Sequence, residues 1–167
     1  MRISCGSFFL GVGFLAMLAT VPAMGQSDLP RFAGGVYGSV GLMWTGGNID
    51  LSGGAYLEAA RFRFRPGVEV RGTDEGFEGR LVMAGPRVAH RFPGGDAYAV
   101  ALFGPNHIPD ATGTKQISGV TSQVAFGVEK DLGPYVRWRE ELNAGFFSGA
   151  SGLQTFTVST GLVLHFH

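Results

Sequence analysis

The last strand-length stretch of the chain alternates without a break. Phe156, Val158, Thr160, Leu162, Leu164 and Phe166 fall on one face, and Thr157, Ser159, Gly161, Val163, His165 and His167 on the other. Side chains of an extended strand point alternately to opposite faces, so a period of two marks a strand with one apolar side. A helix has no use for that period, and a chain that repeats it is committed to sheet.

The chain does repeat it. Val36, Val40, Leu42 and Trp44 oppose Tyr37, Ser39, Gly41, Met43 and Thr45. Ala60, Phe62 and Phe64 oppose Arg61, Arg63 and Arg65, and Tyr98, Val100 and Leu102 oppose Ala97, Ala99 and Ala101. Val124, Phe126 and Val128 oppose Ala125, Gly127 and Glu129. Val136, Trp138 and Leu142 oppose Tyr135, Arg137, Arg139 and Glu141. No segment after Gln26 sustains a helical period.

Turn chemistry divides these runs. Arg65-Pro66-Gly67, Pro93-Gly94-Gly95-Asp96 and Asp131-Leu132-Gly133-Pro134 read as tight turns. Longer Gly-, Asp-, Ser- and Asn-rich links run from Gly46 to Gly54, Gly72 to Gly76, Gly104 to Gly119 and Phe147 to Gly152. Together they predict eight strands, near 35–45, 54–65, 67–72, 77–92, 96–104, 120–131, 134–146 and 153–166. The apolar pattern of the fourth changes parity around Gly85-Pro86, where Leu81 and Met83 give way to Val88 and Phe92, which predicts a bulge.

The amino terminus reads differently. A basic start, Met1-Arg2, precedes an apolar stretch from Phe8 to Val21, then Pro22 and the small residues of Ala23-Met24-Gly25. That order predicts a cleaved secretory signal peptide over 1–25, then a lead-in over 26–34 and a barrel over 35–167. The stretch is short for a membrane-spanning helix and contains Gly11 and Gly13. Cys5 precedes it, so cleavage leaves the mature chain without a thiol.

A closed sheet can be greasy inside and wet outside, as in soluble barrels, or the reverse, as in membrane barrels. Three features favour the reverse. An eight-stranded barrel has room inside only for side chains to fill, so the bulky face fits outside. The polar face uses arginine and glutamate, with Lys115 and Lys130 as the lysines of the whole chain. Arginine's planar fork pairs bidentately with carboxylates and suits a confined network. Short turns at one end and long loops at the other complete the pattern. The expectation is an all-β, eight-stranded antiparallel up-and-down transmembrane β-barrel. Its lumen would hold Arg61, Arg63, Glu69, Arg71, Arg80, Glu129, Arg137, Arg139 and Glu141. Its lipid face would carry Trp44, Phe62, Phe64, Tyr98, Phe126, Trp138, Phe156, Leu162, Leu164 and Phe166.

On these residues the chain resembles the outer-membrane-protein β-barrel domain family, the small eight-stranded group related in architecture to OmpA and OmpX. The resemblance covers roughly 32–167 and is sharpest at Ser159-Thr160-Gly161-Leu162-Val163-Leu164-His165-Phe166-His167. It implies an outer-membrane location and contact with outer-membrane lipid. It also implies a carboxyl-terminal signal, Gly161, Leu162, Leu164 and Phe166, read by the barrel-assembly machinery. The family usually ends on the aromatic itself, whereas here His167 follows Phe166.

Chemistry is sparse. His107 lies near Asn106, Asp110, Ser118 and Ser122 without the His-x-Ser arrangement of barrel lipid A deacylases, and reads as an ordinary loop histidine. His165 and His167 share a face, but two ligands are short of a firm metal site. The glycine pairs precede no helix and so make no phosphate loop. Zero formal charge and no basic run argue against nucleic acid. The expectation is a non-catalytic protein without cofactor or metal and with a side-chain-filled lumen. The 104–119 loop would be its place for an extracellular partner. An exported soluble barrel for an apolar ligand is the alternative, and a lipid-acting barrel enzyme a weaker one.

Overall fold

The computed structural model describes residues 32–44, 47–74, 80–109, 116–148 and 154–166, without the side chains of 80, 106–118 and 154. The predicted signal peptide and residues 26–31 of the lead-in lie outside the described residues; Phe32 to Gly34 already belong to the first strand. Eight strands follow in order: β1 (Phe32–Met43), β2 (Ile49–Ala59), β3 (Phe64–Asp74), β4 (Arg80–Phe92), β5 (Gly95–Pro109), β6 (Gln116–Asp131), β7 (Val136–Phe147) and β8 (Gln154–Phe166). Each pairs antiparallel with the next, and β8 pairs with β1 to close the barrel. Closure leaves no unpaired edge along the ring, and the strands meet the nine to eleven residues or so that a tilted strand needs to cross a bilayer.

The β1–β8 seam depends on glycine. A Cβ on Gly161 would run into the Gly38 carbonyl and Ser39, and a Cβ on Gly34 into the Phe166 ring. Gly34 and Phe166 are register partners, so the last aromatic covers a glycine across the seam.

The strand count matches the expectation, while several boundaries move. Arg65-Pro66-Gly67 is no turn: all three residues lie in β3, and the chain reverses at 60–63 instead. The β2–β3 ladder stops at Glu58↔Gly67, so Pro66 sits just beyond it, where a missing N–H is harmless. Gly67 is required by proximity, since a Cβ there would strike the Leu57 carbonyl. The expected bulge in β4 is also absent. Ala84↔Phe103 and Arg87↔Val100 keep one register on either side of Gly85-Pro86, and Leu81, Met83, Arg87 and Ala89 all point inward. The ladder merely lapses where proline has nothing to donate.

The expected 104–119 loop is mostly strand. β5 and β6 pair out to Pro109↔Gln116, whereas β4 follows β5 only to Phe103 and β7 follows β6 only to Thr121. A two-stranded hairpin therefore stands above that rim, and its tip, 110–115, lies outside the described residues. The asymmetry between ends is accordingly smaller than expected. Connections 60–63, 93–94 and 132–135 mark one end, and 44–48, 75–79, 110–115 and 148–153 the other.

Candidate functional site

Alternation turns one set of side chains inward on every strand, and at the short-turn half of the barrel that set is charged. Arg65, Arg71, Arg87, Arg137 and Arg139 are buried there with Glu58, Glu69, Asp96, Glu129 and Glu141. Arg87 lies at the centre of the group. Its Nε donates to Glu58 Oε1 at 2.6 Å, its Nη1 to Glu69 Oε2 at 2.9 Å and its Nη2 to Glu129 Oε1 at 2.8 Å. Arg71 grips Glu141 with both Nη atoms, at 2.6 and 2.8 Å, and reaches Glu69 at 2.7 Å. Arg139 shares Glu141, at 2.6 Å, and Glu69, at 3.2 Å. Nearer the short turns, Asp96 forms an ion pair with Arg65 at 2.6 Å and accepts a hydrogen bond from Arg137 at 2.5 Å. Charges buried this deeply persist only when each is paired and hydrogen-bonded, and equal numbers of the two signs supply that.

Three tyrosines knit the network. Tyr37 donates to Glu69 at 2.6 Å, Tyr56 to Glu129 at 2.7 Å and Tyr98 to Glu141 at 2.7 Å. Their rings also stack with the guanidinium groups. The Arg87 Cζ lies 4.0 Å from the Tyr56 centroid and 3.9 Å from that of Tyr98. The Arg139 Cζ lies 4.5 Å from Tyr98 and 3.8 Å from Tyr37. The column Tyr56–Arg87–Tyr98–Arg139–Tyr37 thus alternates rings and cations across the lumen, and each contact adds cation–π attraction where no water competes. Each ring lies over a glycine that is its register partner: Tyr37 over Gly54, Tyr56 over Gly35 and Tyr98 over Gly127. Only a residue without a side chain leaves that space.

Substitution at Gly127 should therefore move Tyr98. Gly127→Ala is expected to destabilise the barrel by about 1–3 kcal/mol through overpacking. The check is a urea-unfolding midpoint, compared with Gly133→Ala, where a Cβ meets nothing within 4 Å.

The other half of the lumen is mostly uncharged, Asp50 being its one buried carboxylate among the described residues. Thr121, Gln123, Asn143, Thr155, Thr157 and Ser159 are buried beside Leu81, Met83 and Leu102. Asn143 donates to Gln123 at 3.2 Å. Outside, the barrel carries the residues that would form the core of a soluble protein. Phe64, Phe126, Trp138, Phe156, Leu162, Leu164 and Phe166 all point outward and are exposed, Phe126 by 61%.

Several predicted site residues are placed otherwise. Glu69, Arg71, Glu129, Arg137, Arg139 and Glu141 meet in the lumen. Arg61 and Arg63 do not: both are exposed in the 60–63 connection, because β2 ends at Ala59 rather than at 65. Phe62 sits between them, half-buried in the same turn and on neither wall. Tyr98 is the clearest reversal, being 5% exposed and inside. Both faces of β5 are apolar, so alternation does not choose between them; the hydroxyl's need for a buried acceptor does. Trp44 lies just past β1 and is exposed. The side chains of Arg80 and His107, and the whole of His167, lie outside the described residues; the His107 backbone pairs with Ser118 in the hairpin. Sequence reasoning missed Glu58, Arg65, Arg87, Asp96, Tyr37 and Tyr56. Tyrosines set opposite glycines were the available signal.

No protein-family model and no curated protein matches the chain. Solved structures do. A designed transmembrane β-barrel superposes with a TM-score of 0.58 at 17% identity, covering 84% of this chain and all (100%) of that one. The N-terminal β-barrel domain of Pseudomonas aeruginosa OprF gives 0.56 at 7% identity, over 80% of this chain and 97% of that. Ail, the attachment invasion locus protein of Yersinia pestis, gives 0.51 at 12%, over 83% of this chain and 100% of that.

The fold is that of the small eight-stranded outer-membrane barrels.

Within that transmembrane barrel fold, the apolar exterior and the charged interior take the places their chemistry requires: hydrocarbon has no water to satisfy a polar group, so polarity turns inward.

Proposed function

We propose that the protein is a small integral outer-membrane barrel with a structural or surface-interaction role and no catalysis, its lumen closed by its own side chains. One observation carries this reading: a largely apolar exterior surrounds a network whose arginines, carboxylates and tyrosines hold one another in ion pairs and hydrogen bonds. A group held on all sides by partners is poorly available to a substrate or to a permeating ion. The solved barrels of like fold, among them an attachment and invasion protein, are consistent with a surface role. Residues 1–25 serve as a cleaved export signal, and Gly161, Leu162, Leu164 and Phe166 present the end of β8 to the barrel-assembly machinery. The hairpin raised by β5 and β6 is the place for contact with an extracellular partner.

The soluble-carrier alternative needs the aromatic face turned inward around a ligand. Phe64, Phe126, Phe156 and Leu164 point the other way, which leaves the carrier reading without a cavity wall.

Expression of the full-length gene in a bacterial host provides the test. The protein should resist carbonate, leave the envelope only with detergent, and run as a compact band that shifts on heating. In planar bilayers it should give no discrete conductance steps. Recovery as a soluble periplasmic protein would overturn the membrane reading, and steady open-channel current the closed lumen.

A further inference from the structure

Along the middle of every strand the outward face is uncharged among the described residues, with one departure. Glu140 points outward from β7, exposed, and it is the one carboxylate so placed away from a strand end among the described residues. It is directly opposite Val128 on β6 and Thr160 on β8. Its sole hydrogen bond among those residues comes from the Trp138 indole N–H, at 3.3 Å. It opens onto a mostly apolar trough on the outer wall, bordered by Phe126, Val128, Leu142, Val158 and Val40. An ionisable group on a surface facing hydrocarbon is costly and marks a place where something polar is met.

The same face carries a matching cation. Lys130 on β6 is exposed, is directly opposite Trp138, and makes no ion pair among the described residues. Lys130 and Glu140 are therefore diagonal neighbours on adjacent strands, with the glutamate one cross-strand step further from the short turns. That order is wrong for a phospholipid headgroup such as phosphatidylethanolamine. Its amine would have to reach deeper into the bilayer than its own phosphate to meet Glu140. A lysine of a second barrel has no such conflict: it stands one step nearer the short turns and its flexible four-carbon stem carries the ammonium to the glutamate. A patch holding one charge of each sign can meet itself across a two-fold axis, each lysine against the partner's glutamate.

We infer that this outer face of β6, β7 and β8 is the interface of a parallel homodimer, in which Glu140 of each barrel pairs with Lys130 of the other across the apolar trough. The inference rests on the proposed membrane location, which the heat-shifted band reports independently of association.

Charge reversal in trans tests it. Full-length protein would be purified in mild detergent and its association measured by sedimentation equilibrium in density-matched micelles, then by energy transfer between labelled copies in phosphatidylethanolamine/phosphatidylglycerol vesicles. Glu140→Lys alone and Lys130→Glu alone are each expected to weaken self-association by about tenfold or more, because like charges then face each other. An equimolar mixture of the two variants should recover it, since each lysine at 140 meets a glutamate at 130 in the other chain. An ion pair within one barrel cannot be rescued that way. Glu140→Gln guards against a reversal that fails to fold, and it too should weaken association. A monomeric wild type, an undiminished Glu140→Gln dimer, or a mixture that stays monomeric would each overturn the dimer. A response confined to the unfolding midpoint would assign Glu140 to Lys130 of its own chain.

Discussion

Arg87→Met should be among the most damaging single substitutions in the protein, costing about 3–5 kcal/mol. The methionine fills much of the volume, so the loss is electrostatic. Glu58, Glu69 and Glu129 would face one another with their shared cation gone, and the Tyr56 and Tyr98 rings would lose the guanidinium stacked between them. Removing one partner of a buried ionic group is far worse than never having buried the group, because the charges left behind keep their desolvation cost. Equilibrium urea unfolding of protein refolded into lipid vesicles, followed by tryptophan fluorescence, gives the number. Arg91→Met is the control. Arg91 is half exposed and pairs with Asp131 at the short-turn rim, where such a pair contributes about 0–1 kcal/mol. Adding Glu58→Gln to Arg87→Met should recover part of the loss. Equal effects at positions 87 and 91 would mean that the network does not hold the barrel together.

Phe126→Arg is the second large effect, expected at about 2–4 kcal/mol for a cation on the lipid face near the bilayer midplane. Phe126 lies opposite Ala99 on β5 and Leu142 on β7, well inside all three strands, so an arginine there has little route to water. Phe62→Arg should be nearly silent by comparison. Phe62 sits in the 60–63 connection between two exposed arginines, and a third arginine would be solvated there. The same vesicle unfolding assay, run on both variants, separates the walls of the barrel from its ends. A Phe126→Arg protein as stable as the wild type would mean that this face meets neither hydrocarbon nor another apolar surface.

The two substitutions also mark the divide between what was readable along the chain and what was not. In β6, β7 and β8 one face is apolar and the other polar or small, so alternation alone assigns Phe126, Trp138, Phe156 and Leu162 outward and Glu129, Arg137, Arg139 and Glu141 inward. Elsewhere the pattern is ambiguous for a definite reason. In β5 both faces are apolar, and size alone would send Tyr98 outward; the Glu141 carboxylate that accepts its hydrogen bond lies two strands away and 43 residues along the chain. Near 65–67, proline and glycine carry turn chemistry wherever they occur. Only the neighbouring strand decides whether they turn the chain or let it run close to another backbone.

Sequence by itself determined the strand-rich class, the number of strands and the inversion of polarity, because each is written in spacing and residue type within one segment. The tertiary structure decided the rest: where β2 and β3 reverse, that β4 runs through Gly85-Pro86 without a bulge, that the 104–119 segment is largely a raised hairpin, and which arginines enter the lumen. The physical reason is common to all four. Register and side-chain pairing are contacts between strands distant in the chain, so whether a proline is harmless, a glycine necessary or an arginine paired depends on which residue lies opposite it. The column Tyr56–Arg87–Tyr98–Arg139–Tyr37 draws its members from five strands, and no single stretch of sequence contains it.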